Sequence, residues 1–153
     1  ISFLNQKLAE TLRYSEYEYS LQDGMDLVLC RINRSNLLMN MAGIRNSMYV
    51  VREGNLSELK SAVSTYDRII AKHQAIEMQL QKGDMLYLFT DGYMDQFQEN
   101  TSRKFTRKQF RQSILSICKL PLDMQQEKLL QDFQNWKGAA EQTDDVMVIG
   151  IKI

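Results

Sequence analysis

The stretch LQKGDMLYLFTDGYMDQF, residues 80–97, holds the strongest strand pattern of the chain and places an aspartate directly after it. The run MLYLF is apolar at consecutive positions, which is typical of a strand buried between layers. Thr90-Asp91-Gly92 ends the run. The predicted buried strand is therefore followed closely by a carboxylate. Two interpretations stay open for Asp91, ordinary Asp-Gly turn chemistry and a metal ligand.

The composition predicts one globular domain over residues 1–153. Hydrophobic residues make up 44% and charged residues 25%, close to an average soluble protein. Lys plus Arg and Asp plus Glu number 19 each, so net charge gives no reason to expect nucleic acid or acidic membranes as partners. Cys30 and Cys118 fit neither a disulfide framework nor a zinc pattern, which predicts reduced thiols and a cytoplasmic location. No apolar run approaches the ~20 residues of a membrane-spanning helix.

Strand patterns dominate the first part of the chain. We predict strands at residues 25–33, 37–43, 47–53, 75–80 and 85–90, with loop and short structure at 56–72. Because short turns join the first three, they predict an antiparallel meander. The chain opens on ISFLNQKLAETLRY, a helical pattern that begins at Ile1 without a cap, which predicts a fragment of a longer chain.

Helical spacing follows in the second part. One helix carries Phe110, Ile114 and Ile117, with Thr106 as its N-cap and Leu120-Pro121 as its stop. A second carries a stripe that ends at Gly138 and comprises Leu129, Leu130, Phe133 and Trp136. The segment DDVMVIGIKI, 144–153, predicts a last strand. Consecutive strands followed by paired helices predict an α+β fold.

Acids lie at the ends of two predicted strands. Asp91 follows one strand, and Asp144 and Asp145 begin the other. If these strands are antiparallel neighbours, the acids share one edge of the sheet. Crowded carboxylates repel unless a cation compensates, and oxygen ligands suit Mg²⁺ or Mn²⁺. The alternative is that the acids form solvated turns.

Other acid-based chemistries fit the spacing less well. A haloacid dehalogenase nucleophile needs a second Asp two residues after Asp91, where Tyr93 stands. A receiver domain needs alternating strands and helices. The only histidine, His73, lies in a polar stretch, which disfavours a Ser-His-Asp triad. Neither GxxxxGK[ST] nor GxGxxG occurs.

Five ordered segments resemble one known family. DGMDLVLCRIN, LLMNMAGIRNSMYVVREG, LQKGDMLYLFTDGYMDQF, KFTRKQF and QTDDVMVIGIKI are similar to the bacterial stage II sporulation E-type (SpoIIE-type) phosphatases of the PPM superfamily. The resemblance implies a truncated α-β-β-α sandwich of mostly antiparallel sheets with helices packed outside. It also implies metal-dependent hydrolysis of phosphoserine or phosphothreonine in a bacterial signalling protein.

The resemblance assigns roles to particular residues. It makes Asp91 and Asp144 metal ligands, with Asp145 beside them and Gly92 supplying backbone at the metal site. Asp23 and Asp26 are cleft candidates, alongside a hairpin-turn interpretation. Tyr93 and Gln96 could also line a cleft. No side chain is implied as a covalent catalyst, because metal-activated water attacks phosphorus.

The family's second metal motif, a GDxxGHG-like segment, lies upstream of Ile1 in the resemblance. Two Mn²⁺ or Mg²⁺ ions are therefore expected only in the complete domain, and the chain alone is expected to be inactive. The implied partner is a phosphorylated protein such as an anti-sigma-factor antagonist, and the chain would be the cytosolic output domain of a sensor. A non-catalytic scaffold or pseudophosphatase module is the alternative, and a homodimer through the surface exposed by truncation is a further hypothesis.

Overall fold

The computed structural model describes residues 26–61 and 75–153. The predicted opening helix, Asp23 and His73 lie outside these residues. The described residues belong to two compact units. The first unit extends to Ser47 and also includes Leu59–Leu80, and the second comprises Met48–Glu58 and Gln81–Ile153.

The first unit contains a three-stranded antiparallel sheet. Its strands, in the order β1-β2-β5, are β1 (Leu27–Ile32), β2 (Leu38–Ile44) and β5 (Ile76–Gln79). Two asparagines fix the turn between β1 and β2. The side-chain oxygens of Asn33 and Asn36 each accept a hydrogen bond from the N–H two residues further on, at 2.9 and 3.1 Å. These strands confirm the predictions for residues 25–33, 37–43 and 75–80.

The predicted three-stranded meander is wrong beyond its first hairpin. β1 and β2 pair as predicted, but β3 (Ser47–Arg52) lies in a different sheet. The chain leaves the first sheet at Arg45, whose φ of 54° is left-handed and ends the extended run. Residues 47–51 of β3 are all buried. Such a strand suits an interior position, and β3 lies between two other strands of the second sheet.

The second sheet has the order β4-β3-β6-β7. Its other strands are β4 (Asn55–Lys60), β6 (Met85–Phe89) and β7 (Val148–Lys152). β6 confirms the predicted strand at 85–90, and β7 begins later than the predicted residue 144. β4 corrects the prediction of a loop with short structure from residue 56. Its sequence NLSELK is mostly polar and forms an edge strand, so its alternation is weak.

Among the described residues, three helices belong to the same unit as β6 and β7. They are α1 (Gly92–Asp95), α2 (Arg107–Ile117) and α3 (Leu122–Lys137). Thr106 caps α2 as predicted, since its side chain accepts a hydrogen bond from the N–H of Gln109 at 3.4 Å. Gly138 ends α3 with a φ of 55°. The sequence pattern gives no sign of the single turn of α1.

Aromatic side chains join the helices to the second sheet. Tyr49 of β3 and Phe89 of β6 have ring centroids 4.6 Å apart, and Phe110 of α2 lies 5.0 Å from Phe89. Tyr93 of α1 contacts Phe110 at 4.8 Å and Phe133 of α3 at 5.1 Å. Each buried aromatic ring contributes on the order of 2 kcal/mol through burial alone. This cluster fixes α1, which directly follows Asp91.

The predicted stripe on α3 is partly wrong. Leu129 and Phe133 are buried as predicted, whereas Leu130 is 54% exposed. The buried positions of this helix, Gln125, Leu129 and Phe133, recur every four residues, and Leu130 points about 100° away from Leu129. The α+β class with antiparallel sheets is confirmed. No helix in the described ranges combines the length and apolar character required to cross a membrane.

Candidate metal centre

The two acid-bearing strands are antiparallel neighbours. β6 pairs with β7 in a register that sets Phe89 opposite Val148. The C-terminal end of β6 and the N-terminal end of β7 therefore meet at one edge of the sheet. Asp91 follows β6, and Asp144 and Asp145 precede β7. We call this edge, with its three aspartates, the acidic edge.

Thr90 fastens the two segments to each other. Its hydroxyl donates a hydrogen bond to the carbonyl oxygen of Asp145 at 2.7 Å and accepts one from the N–H of Met147 at 2.9 Å. Its own N–H donates to the carbonyl oxygen of Met147 at 3.1 Å. The backbone pairing of β6 and β7 thus continues past the strands, although Asp144 to Met147 lie outside regular structure.

Gly92 brings the segments into direct contact. A Cβ atom at Gly92 would lie only 3.0 Å from the carbonyl carbon of Asp145 and 3.2 Å from Cβ of Asp144, and would overlap the carbonyl oxygen of Asp145. Only glycine leaves room for this close approach of backbone to backbone. The residue directly after Asp91 is therefore packed against Asp144 and Asp145.

The three carboxylates at this edge are exposed. Asp91 occupies the N-cap position of α1 but makes no capping hydrogen bond with its side chain. Oδ1 of Asp144 accepts a hydrogen bond from the N–H of Asp145 at 2.7 Å. Within residues 26–61 and 75–153, none of the three forms a salt bridge. Their oxygens thus remain accessible to a ligand.

These donors match part of a divalent metal site. Exposed carboxylates that share one edge are the oxygen ligands that Mg²⁺ and Mn²⁺ take. The described part of the chain contains no group of three or more acidic, His or Cys side chains that could hold a metal ion. The acidic edge therefore offers fewer ligands than a complete site, with Asp91 just after β6 and Asp144 in the segment before β7.

A fourth acid nearby is occupied differently. Asp95, at the end of α1, forms a salt bridge with Lys104 at 3.1 Å. Nζ of Lys104 also lies 5.6 Å from the ring centroid of Phe97, within the range of a cation–π contact. Among the described residues, Asp95 thus has a basic partner, in contrast to the three aspartates of the acidic edge.

The proposed cleft residues lie in several environments. Asp26 is exposed and directly precedes β1 in the first unit. Tyr93 and Gln96 are buried at 2% and 0% exposure, so their side chains do not line an open cleft. The Tyr93 hydroxyl donates to the carbonyl oxygen of Leu129 at 2.7 Å, and burial, with a smaller effect of Asp132, raises its pKa.

Sequence reasoning did not predict the contacts that Thr90 and Gln96 make. The Thr90 hydroxyl joins both segments of the acidic edge, and Gln96 bonds to the loop before Asp144, at the Glu141 carbonyl oxygen (2.9 Å). A threonine before Asp-Gly is a weak signal for such a contact. Nothing in the pattern around Gln96 separates a buried amide from an exposed one.

Comparison with known proteins identifies the relatives of this chain. A family model described as Stage II sporulation protein E (SpoIIE) matches residues 2–153. No curated protein matches the chain. Among solved structures, the SiaA-PP2C domain of Pseudomonas aeruginosa superposes with a TM-score of 0.81 at 26% identity, over 97% of this chain and 57% of that one.

Two further structures share the fold at lower identity. The phosphatase domain of the cell fate determinant SpoIIE from Bacillus subtilis gives a TM-score of 0.63 at 12% identity, over 99% of this chain and 65% of that one. The PPM Ser-Thr phosphatase MsPP from Mycobacterium smegmatis, in complex with cacodylate, gives 0.56 at 13% identity, over 99% and 70%. The chain thus spans less than two thirds of the first two structures.

Proposed function

This chain belongs to the stage II sporulation protein E (SpoIIE) family, and from that premise we propose that it is part of a metal-dependent protein serine/threonine phosphatase. The observation that carries the proposal is the acidic edge, where antiparallel pairing of β6 and β7 brings Asp91 beside the segment of Asp144. The proposed substrate is a phosphoserine or phosphothreonine side chain of a signalling protein, such as an anti-sigma-factor antagonist.

Each residue of the acidic edge has a proposed role. Asp91 and Asp144 would bind a Mn²⁺ or Mg²⁺ ion through carboxylate oxygens, with Asp145 beside them. When bound, the metal supplies an activated water and neutralises charge on the phosphoryl oxygens. Thr90 and Gly92 hold the two ligand segments together through the contacts described above. In this proposal the exposed carboxylates bind the metal, and the Thr90 hydroxyl and the backbone at Gly92 set their geometry.

A phosphatase assay with matched acid variants tests the proposal. Manganese-dependent release of phosphate from a phosphoserine peptide is measured for the full-length protein that contains this chain. We expect Asp91→Asn and Asp144→Asn each to lower turnover by about 100-fold or more. Changing a residue that only orients a metal ligand costs up to about 100-fold, and the loss of a ligand should cost at least as much. The control is Asp95→Asn, because Asp95 is paired with Lys104, and this variant should keep nearly normal turnover.

The same assay separates the enzyme from a binding module. Residues 1–153 alone are expected to release no phosphate. A full-length protein that binds the phosphopeptide without hydrolysing it would contradict the phosphatase and support the scaffold. Unchanged turnover in Asp91→Asn would remove the acidic edge from the reaction.

A further inference from the structure

Gln96 forms a second connection between the two acid-bearing segments, away from Thr90. Its side chain is fully buried. The amide Nε2 donates to the carbonyl oxygen of Glu141 at 2.9 Å and to that of Phe97 at 3.1 Å. Gln96 directly follows α1, whereas Glu141 lies in the loop that leads to Asp144. One side chain therefore connects the turn after Asp91 to the loop before Asp144.

The backbone of Gln96 is itself held in place. Its carbonyl oxygen accepts hydrogen bonds from the indole N–H of Trp136 and from the N–H of Phe105, both at 3.0 Å. Trp136 belongs to the last turn of α3, and its ring packs edge-on against Phe105 at 5.4 Å. These bonds fix the backbone of Gln96. The hydrogen bond from its amide therefore holds the loop in a fixed place relative to that backbone.

Glu99 makes a parallel contact with the same loop. Its carboxylate accepts a hydrogen bond from the N–H of Ala139 at 3.1 Å. Gly138 passes so close to Glu99 that a Cβ atom at this position would overlap the Glu99 side chain. We call Gln96 and Glu99 together the loop clamp, because both hold the segment between α3 and Asp144.

Asp144 lies between the loop clamp and Thr90. The loop from residue 139 to residue 147 contains no helix or strand. Backbone hydrogen bonds hold its two ends, at Ala140 and Met147, and side-chain contacts add to them in between. Ordering an irregular segment costs about 1–2 kcal/mol per residue in conformational entropy. The clamp holds Ala139 and Glu141 on one side of Asp144, and Thr90 holds Asp145 on the other. Gln142 adds a bond to the Asp144 carbonyl oxygen at 2.8 Å.

We propose that Gln96, supported by Glu99, is a positioning residue that holds the Asp144 loop in register with Asp91 for metal binding. This inference rests on the proposed function. Packing alone explains Gln96 poorly, because its Oε1 is buried without a hydrogen-bond partner among the described residues. Burying an unpaired polar atom costs about 1–3 kcal/mol, and methionine would fill the same space without that cost.

Direct titration of Mn²⁺ onto the full-length protein tests this role without an activity measurement. We expect Gln96→Met to weaken Mn²⁺ binding by about 10-fold or more, as for other residues that orient metal ligands. Gln125→Met is the matched control. Gln125 is also a buried amide, but it bonds to the Tyr87 hydroxyl at 2.7 Å and the Leu120 carbonyl oxygen at 2.8 Å, away from the loop. This control should bind Mn²⁺ normally even where it lowers thermal stability.

The outcomes separate the two proposals. Normal Mn²⁺ binding in Gln96→Met would overturn the positioning role, and so would equal weakening of Mn²⁺ binding in Gln125→Met. In either case, weaker binding in Asp91→Asn would leave the metal site itself standing. Normal binding in both Asp91→Asn and Asp144→Asn would overturn the metal site, and the positioning role with it. If Gln96→Met fails to fold, Glu99→Ala decides, because Glu99 is exposed. Weaker Mn²⁺ binding in Glu99→Ala supports the clamp, and unchanged binding overturns it.

Discussion

Strand β6 carries an aspartate near each end, and the two have opposite environments. Asp84, just before the strand, is 1% exposed, and its carboxylate accepts bonds from Nε of Arg52 at 2.9 Å and from its terminal guanidinium nitrogen at 2.7 Å. It also accepts from the N–H of Gln81 at 2.8 Å. Asp91, just after the strand, is exposed and makes no capping bond. The protein neutralises one carboxylate itself and leaves the other available for a ligand.

The contrast distinguishes a buried, ion-paired acid from an exposed one where the sequence cannot. Both aspartates adjoin a glycine at an end of the same strand, in Gly83-Asp84 and Asp91-Gly92. Hydrogen bonding from Arg52 lowers the pKa of Asp84, with a further contribution from the Gln81 N–H. A buried carboxylate with this many donors stabilises the fold, whereas exposed carboxylates at one edge can bind a cation.

The largest expected effect on stability comes from Asp84→Asn. The substitution removes the buried carboxylate that pairs with Arg52, and we expect a loss of about 3 kcal/mol, the lower end for such pairs because Arg52 reaches solvent. Asp91→Asn, the matched change at the other end of β6, should stay within about 0.5 kcal/mol. Urea unfolding measures both. Equal losses would remove the contrast between the two acids.

A smaller effect is expected for Gly92→Ala. The added methyl group would push against the Asp145 backbone, and we expect a loss of about 2 kcal/mol from overpacking, together with weaker Mn²⁺ binding. Gly150→Ala is the control, because its Cβ would meet Leu122 at an ordinary 3.5 Å. Thermal unfolding and Mn²⁺ titration compare the variants. Normal Mn²⁺ binding in Gly92→Ala would show that this contact does not organise the acidic edge.

The smallest effect concerns pH. Because the folded pKa of Asp84 lies below its ordinary value of 3.8, its contribution is complete above that value and is lost as pH falls through the folded pKa. The difference in free energy of unfolding between wild type and Asp84→Asn should therefore be constant above about pH 5 and shrink below about pH 4. Urea unfolding from pH 7 to pH 3 checks this. A difference that grows on acidification would contradict the pairing with Arg52.

The sequence predicts those elements whose periodicity is strong. The apolar run MLYLF predicts β6. Thr106 predicts the start of α2, and Gly138 predicts the end of α3. β4 escapes prediction because polar residues dominate an edge strand. The move of β3 to the second sheet depends on the backbone at Arg45, whose φ of 54° has no sequence signature.

The acidic edge is predictable in outline and not in detail. Strand-end aspartates suggest Asp91, Asp144 and Asp145, and the β6–β7 pairing confirms that their strands are neighbours. Their role as metal ligands stays a prediction. The contacts that organise the edge depend on long-range packing. A glutamine such as Gln96 acquires its role only when residues 45 positions apart come together.

The far end of the β6–β7 pair has a practical consequence. Ile153 is fastened there, since its N–H donates to the Asp84 carbonyl oxygen at 3.0 Å and its own carbonyl oxygen accepts from Gly83 at 2.8 Å. Strand β7 spans about 17 Å at ~3.3 Å per residue, which separates this end from Asp144. A label attached at this end of the β6–β7 pair would therefore lie about one strand length away from Asp91 and Asp144.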